Sequence, residues 1–202
     1  EIRQALENAA VLAEVEDTYR PYKPKRRTRA SIAQEKGLSP LADALFEQAS
    51  AAVPAALAAP FVDAEKGVED IEAALAGAKD ILCERMSDDA GARKALRALM
   101  RRDGRLVTRA LKEEDSVYRM YYEYAEPVSK IPSHRVLAVN RGEREGFLHV
   151  SVAMDEQAAT TLLAHTFVKP AGGACALLVR EAVEDAWARL LRPSIERELR
   201  AE

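Results

Sequence analysis

Lys23, Lys25, Arg26, Arg27 and Arg29 crowd the stretch TYRPYKPKRRTR, Thr18 to Arg29, which holds six Lys or Arg and no acid. Tyr19 and Tyr22 are interleaved with them. Cationic side chains meet phosphates and aromatic rings stack on bases, so this mixture suits a phosphate-positioning contact with a single strand or a groove edge. It equally suits a solvated connector whose tyrosines pack on neighbouring helices. The chain has 30 Lys plus Arg against 33 Asp plus Glu, a net charge of −3. That balance argues against a generic polyanion binder and makes the positive field local.

A second basic series is Arg93, Arg97 and Arg101, joined by Lys94, Arg102, Arg105 and Arg109. Spacing of four places the first three on one helical face, opposite Leu96 and Leu99. Such a row can track a phosphate backbone, although a solvent face paired with acids is the more ordinary expectation. Tyr118, Tyr121, Tyr122 and Tyr124 form a third group, whose spacing suits helix packing with wet hydroxyls better than base stacking.

The residues needed for catalysis do not assemble into a pattern. The phosphate-loop, dinucleotide, serine-hydrolase and His-Glu-x-x-His signatures are absent, and AGGACA lacks the lysine of a phosphate loop. Ser133 and His134 are chain neighbours, which seldom point together, and Ser133 is expected to cap a helix. Cys83 and Cys175 lie far apart and His134, His149 and His165 are scattered, so no disulfide framework, metal site or cofactor is expected. A non-enzymatic protein in a reducing cytosol is the reading.

Helix must carry these residues, because Ala, Leu, Glu and Arg dominate at three- and four-residue apolar spacing. A first helix is expected with Ile2, Leu6, Ala9 and Ala13 on its face. Pro21 and Pro24 then hold Arg20 to Arg27 extended. Thr28 caps a short helix ending at Lys36 before Gly37, and Ser39-Pro40 starts the next, with Leu41, Ala44, Leu45 and Gln48 inward. The clearest helix is expected over Val68 to Met86. Ser87, Asp88 and Asp89 start another that Gly104 ends. Arg105 to Leu111 reads as a short strand, Val117 to Tyr124 as a short helix, and FLHVSV at Phe147 to Val152 as the best strand signal. The segment from Ala153 to Leu178 is poorly patterned; helix returns over Leu178 to Leu191 until Pro193 kinks or restarts it. Pro54 and Pro60 break the longest apolar run, leaving no membrane span. The opening EIRQALENAA shows no secretory signal, and the chain reads as a fragment.

Four longer segments resemble the Tex transcription accessory proteins of bacteria, relatives of a eukaryotic transcription elongation factor. They are LAEVEDTYRPYKPKRRTRASIAQEKGLSPLAD at Leu12 to Asp43, EKGVEDIEAALAGAKDIL at Glu65 to Leu82, YYEYAEPVSKIPSHRVLAVNRGEREGFLHVSV at Tyr121 to Val152, and LLRPSIERELR at Leu190 to Arg200. The resemblance implies a multidomain cytoplasmic protein that binds nucleic acid without chemistry and works with the transcription machinery. It also implies an RNase-H-like YqgF domain, a helix-hairpin-helix region and an RNA-binding domain of the OB-fold type, all outside these residues. The expected fold is mainly α, a helix-turn-helix-like region over 1–130 and a helical continuation with a short strand over 131–202. Two functions follow as expectations: nucleic-acid contact through the two basic series, or a scaffold that positions neighbouring domains or docks a protein such as RNA polymerase.

Overall fold

The computed structural model describes residues 2–7, 9, 11–23, 27–112 and 114–201. It is mainly α, with one small antiparallel sheet. The helices are α1 (Ile2–Glu7), α2 (Leu12–Tyr19), α3 (Arg29–Glu35), α4 (Ser39–Glu47), α5 (Pro54–Ala58), α6 (Ile71–Asp88), α7 (Ala90–Asp103), α8 (Ser133–Arg144), α9 (Glu156–Phe167), α10 (Gly173–Ala186) and α11 (Arg192–Ala201). The strands are β1 (Arg105–Ala110), β2 (Glu123–Pro127) and β3 (Leu148–Ala153). Packing divides the chain into two units, residues 1–94 with 160–194, and residues 95–159 with 195–202. Each unit is discontinuous in sequence, unlike a division at residue 130.

The first unit is built around α6, whose Ala74, Ala78, Ile81, Leu82 and Met86 are buried and which packs against α3, α4, α5 and α10. Small residues set the approach of α3 to α6. Ala30 and Ala33 are buried on α3, and a Cβ on Gly77 would stand 2.4 Å from Leu38 Cδ1. The α4 end is tied to the α9 end by Gln48, itself buried and left-handed at φ 49°. Its amide donates to the Phe167 carbonyl at 2.8 Å and its side-chain oxygen accepts from the Lys169 N–H at 2.8 Å. One side chain thereby satisfies a carbonyl at the last residue of α9, where such groups are otherwise orphaned, and an N–H two residues beyond it.

The second unit holds the sheet, in the order β2-β1-β3. Leu106, Thr108, Leu148, Val150 and Val152 are buried, and Arg105, Arg109, His149 and Ala153 are exposed, the period-two alternation of a sheet with one wet face. Both edges are blunted. On β3, Glu196 accepts from the Val152 N–H at 2.8 Å and Arg200 donates to the Val150 carbonyl at 3.2 Å. On β2, Arg105 covers the Ala125 carbonyl at 3.0 Å and Pro127 has no N–H to offer, two ways of preventing further strand pairing.

Several local expectations hold. Thr28 caps α3 reciprocally with Ser31, Gly104 follows α7, and both expected strands form. Others shift. The expected first helix is two, separated at Val11, which is extended at φ −135°. Val117 to Tyr124 is not a helix: a single 3-10 turn at Arg119–Tyr121 leads into β2. Tyrosine favours strands, and the partner supplied by β1 outweighs a helical spacing. The N-terminal residue of the long helix is Ile71, because Asp70 accepts from the Ala73 N–H at 2.7 Å while Val68 pairs with Asp63. Asp89 caps α7 through the Ala92 N–H at 2.7 Å, leaving Ser87 and Asp88 inside α6. Ser39 and Ser133 lie inside their helices, after Leu38 and Pro132, and neither helix has a side-chain cap. The weakly patterned Ala153–Leu178 segment supplies α9 and the start of α10.

Pro193 does not break the last helical run. Proline lacks an N–H and its ring crowds the carbonyl four residues earlier, here that of Arg189. The chain answers with a wider π turn over Trp187–Leu191, the kind of local expansion that lets a helix absorb an irregularity.

Candidate nucleic-acid interface

The basic connector grows out of α2. Arg20, Pro21 and Tyr22 form a 3-10 turn with Pro21 near its start, after which Lys23 is extended at φ −68°, ψ 129°. Arg20 to Tyr22 thus form a turn where an extended path was expected for the whole of Arg20 to Arg27, Lys23 is extended, and Pro24, Lys25 and Arg26 lie outside the described residues. Beyond them Arg27 is exposed, as is Arg29 at the first position of α3. Arg27 stands 3.7 Å from Glu35, both side chains being mostly exposed; such a pair is weak and leaves the cation available.

The two tyrosines are placed otherwise than expected. Instead of pinning the connector to helices, Tyr19 is 53% and Tyr22 59% exposed. The connector is anchored by an acid on the preceding helix, Asp17.

That anchor uses the second basic series. Arg93 is 1% and Asp17 3% exposed, and the Arg93 Nε donates to Asp17 Oδ1 at 2.8 Å. The other guanidinium nitrogens donate to the Ser87 carbonyl at 3.1 Å and to Ser194 Oγ at 3.0 Å. Lys94 adds a pair with Glu14 at 2.7 Å. Arg97, 5% exposed, donates to Glu198 at 3.1 Å. The expected common outward face of Arg93, Arg97 and Arg101 is therefore corrected: two of the three are buried and ion-paired, and only Arg101 is exposed. The long aliphatic stems and fork geometry of arginine suit buried pairing of this kind. A repeat of four basic residues carries no sign of whether acids elsewhere face it.

The tyrosine group in the second unit is structural in its contacts. Tyr118 and Tyr121 are buried, Tyr121 meets Tyr124 edge to face at 5.2 Å, and Tyr118 donates to Glu145 at 2.8 Å. Burial and the neighbouring Glu145 raise the Tyr118 pKa. The hydrogen bond from Tyr124, then Arg135, lowers that of Glu126.

A half-buried charged cluster missed by the sequence reading surrounds the buried Cys83. Arg189 donates to Asp80 at 2.9 Å and to Asp185 at 2.8 Å, and the Cys83 thiol faces the Ala182 carbonyl and Asp185, each at 3.3 Å. Burial first, then the Asp185 carboxylate, push the thiol up to about 12. Since the thiolate is the reactive form, its fraction near pH 8 is roughly a thousandfold below that of a thiol at its ordinary value. Native protein treated with iodoacetamide is therefore expected to stay unmodified at Cys83 and to be labelled there on unfolding, as intact mass and peptide mapping would read. Prompt native labelling of Cys83 would contradict the burial.

Among the described residues no three His, Cys, Asp or Glu gather as a metal-binding group, and no helix is long and apolar enough to cross a membrane.

These observations define a mainly helical module with a small edge-sealed sheet, buried arginine latches and an exposed basic connector. The module matches the family model described as Tex central region-like over residues 49–202. The chain belongs to the Tex family. It is 40% identical over its whole length to the uncharacterized protein YdcI of Bacillus subtilis, covering 28% of that protein. It is 42% identical to protein tex of Bordetella pertussis, with 77% of this chain and 20% of that one aligned. It is 39% identical to the transcriptional accessory protein Tex of Neisseria gonorrhoeae, with 75% of this chain and 20% of that one aligned. The chain thus spans between a fifth and somewhat over a quarter of these relatives. The basic connector precedes the residues matched by the family model.

Proposed function

We propose that this chain is the helical part of a cytoplasmic transcription accessory protein and that it holds nucleic acid without catalysis, through the connector. The carrying observation is the contrast between two basic series: Lys23, Arg27 and Arg29 are exposed, whereas Arg93 and Arg97 are buried on acids. The name of the Neisseria gonorrhoeae relative supports the transcription role. Lys25 and Arg26 join the connector on sequence grounds, and exposed Arg101 is a separate, lesser contact. All act on phosphates and carry no base specificity.

Each phosphate neutralised releases counterions, giving a slope of log affinity on log salt of about −0.7 per contact for a single strand. Three to five connector cations in contact correspond to a slope of roughly −2 to −3.5. Changing Lys23, Arg27 and Arg29 together to Glu is expected to abolish most of that slope in fluorescence anisotropy titrations of labelled DNA and RNA. Equal, salt-insensitive binding by wild type and variant would end the proposal.

The latches favour a second reading. Asp17 with Arg93 and Arg97 with Glu198 spend charge on rigidity, as a scaffold that positions other domains or docks RNA polymerase would. That reading expects no salt-dependent nucleic-acid affinity in the same titration.

A further inference from the structure

We propose that Tyr19 and Tyr22 form a stacking platform for the bases of a single-stranded nucleic acid, an inference that rests on the connector being a phosphate-binding surface. Both rings are more than half exposed. Neither has a hydrogen-bond partner nor meets another ring among the described residues. The 3-10 turn Arg20–Tyr22 begins directly after Tyr19 and ends on Tyr22. In such a turn residues three apart eclipse one another, separated by about 6 Å along the axis. Tyr19 and Tyr22 therefore leave the backbone on one edge, offset by a little under twice the roughly 3.4 Å rise between stacked nucleotides.

The order of groups along the chain completes the site. Two aromatic residues come first, then Lys23 on extended backbone, then exposed Arg27 and Arg29. A single strand lying along this surface presents bases to the rings and phosphates to the cations. A duplex keeps its bases in its own stack and offers only the phosphates. The platform therefore converts a general polyanion contact into one that prefers unpaired strands without reading their sequence, because every base has a stacking face. Buried tyrosines could not do this; the anchoring of α2 by Asp17 leaves the rings free of a packing role.

The test is an anisotropy titration of the full chain with labelled oligo(dT), oligo(U) and a hairpin duplex of matched charge at about 50 mM salt, where phosphate contacts are strong. Wild type is compared with Tyr19→Ala/Tyr22→Ala and with Tyr19→Phe/Tyr22→Phe. The alanine pair is expected to weaken single-strand binding about tenfold or more, to leave hairpin binding within about twofold, and to keep the wild-type thermal midpoint. The phenylalanine pair is expected to retain single-strand affinity. Undiminished single-strand binding by the alanine pair, or equal loss on strand and hairpin, overturns the platform while leaving the phosphate contact in place. If wild type binds none of the three probes in a salt-dependent manner, the connector reading and the platform fall together.

Discussion

Arg93→Ala is expected to destabilise the first unit by about 3–5 kcal/mol, the usual result of removing one partner from a buried ion pair. The size follows from what is left behind. Asp17 is 3% exposed and receives the Arg93 Nε at 2.8 Å; without that guanidinium the buried carboxylate loses a close charged donor and keeps Arg20 at 4.0 Å. Ser87 and Ser194 also lose their donors. The pair itself need not be a net stabiliser, since desolvating two ions offsets most of their attraction. Asp17→Ala combined with Arg93→Met is accordingly expected to recover most of the loss. Urea unfolding of Asp17→Ala, Arg93→Met and their combination separates these cases: a double variant as unstable as the sum of those singles would show that the pair does not act as a coupled unit. Because Asp17 sits two residues before Tyr19, Arg93→Ala is also expected to raise proteolytic cleavage between Leu12 and Arg29 ahead of global unfolding.

The same residue shows where sequence reading reaches its limit. The four-residue spacing of Arg93, Arg97 and Arg101 correctly implied a common helix, and α7 contains all three. It could not show which side of that helix faces protein, because the answer lies in Asp17 and Glu198, distant along the chain. Local chemistry was legible: the Thr28 cap, the stop at Gly104 and the alternation of β3 need only neighbouring residues. Tyr118 to Tyr124 was not, because its strand depends on a partner at Arg105–Ala110. Nor was α9, where Ala and Thr dilute the apolar period and only Ala159 and Leu163 need be buried. For the candidate interface, composition located the connector and misjudged its tyrosines. Exposure is decided by how α2 is anchored, and a sequence run does not contain that information.

Gly173→Ala carries the second large effect, an expected loss of about 2–5 kcal/mol from backbone strain plus overpacking. Gly173 has φ +57°, and a Cβ there would lie 2.5 Å from the Ser50 carbonyl oxygen. The left-handed conformation alone costs an L-residue about 1–2 kcal/mol. The contact adds more because the obstacle is backbone: Ser50 lies two residues after Gln48, whose side chain is already committed to Phe167 and Lys169. Moving Ser50 therefore disturbs the tie between α4 and α9. Gly37 provides the matched control, with φ +82° and open space at its Cβ position. Gly37→Ala is expected to lose only the conformational part, about 1–2 kcal/mol. Denaturant midpoints measured side by side decide the matter. Equal losses at the two positions would mean that the Ser50 approach relaxes freely, and Gly173 would then be explained by its backbone conformation alone.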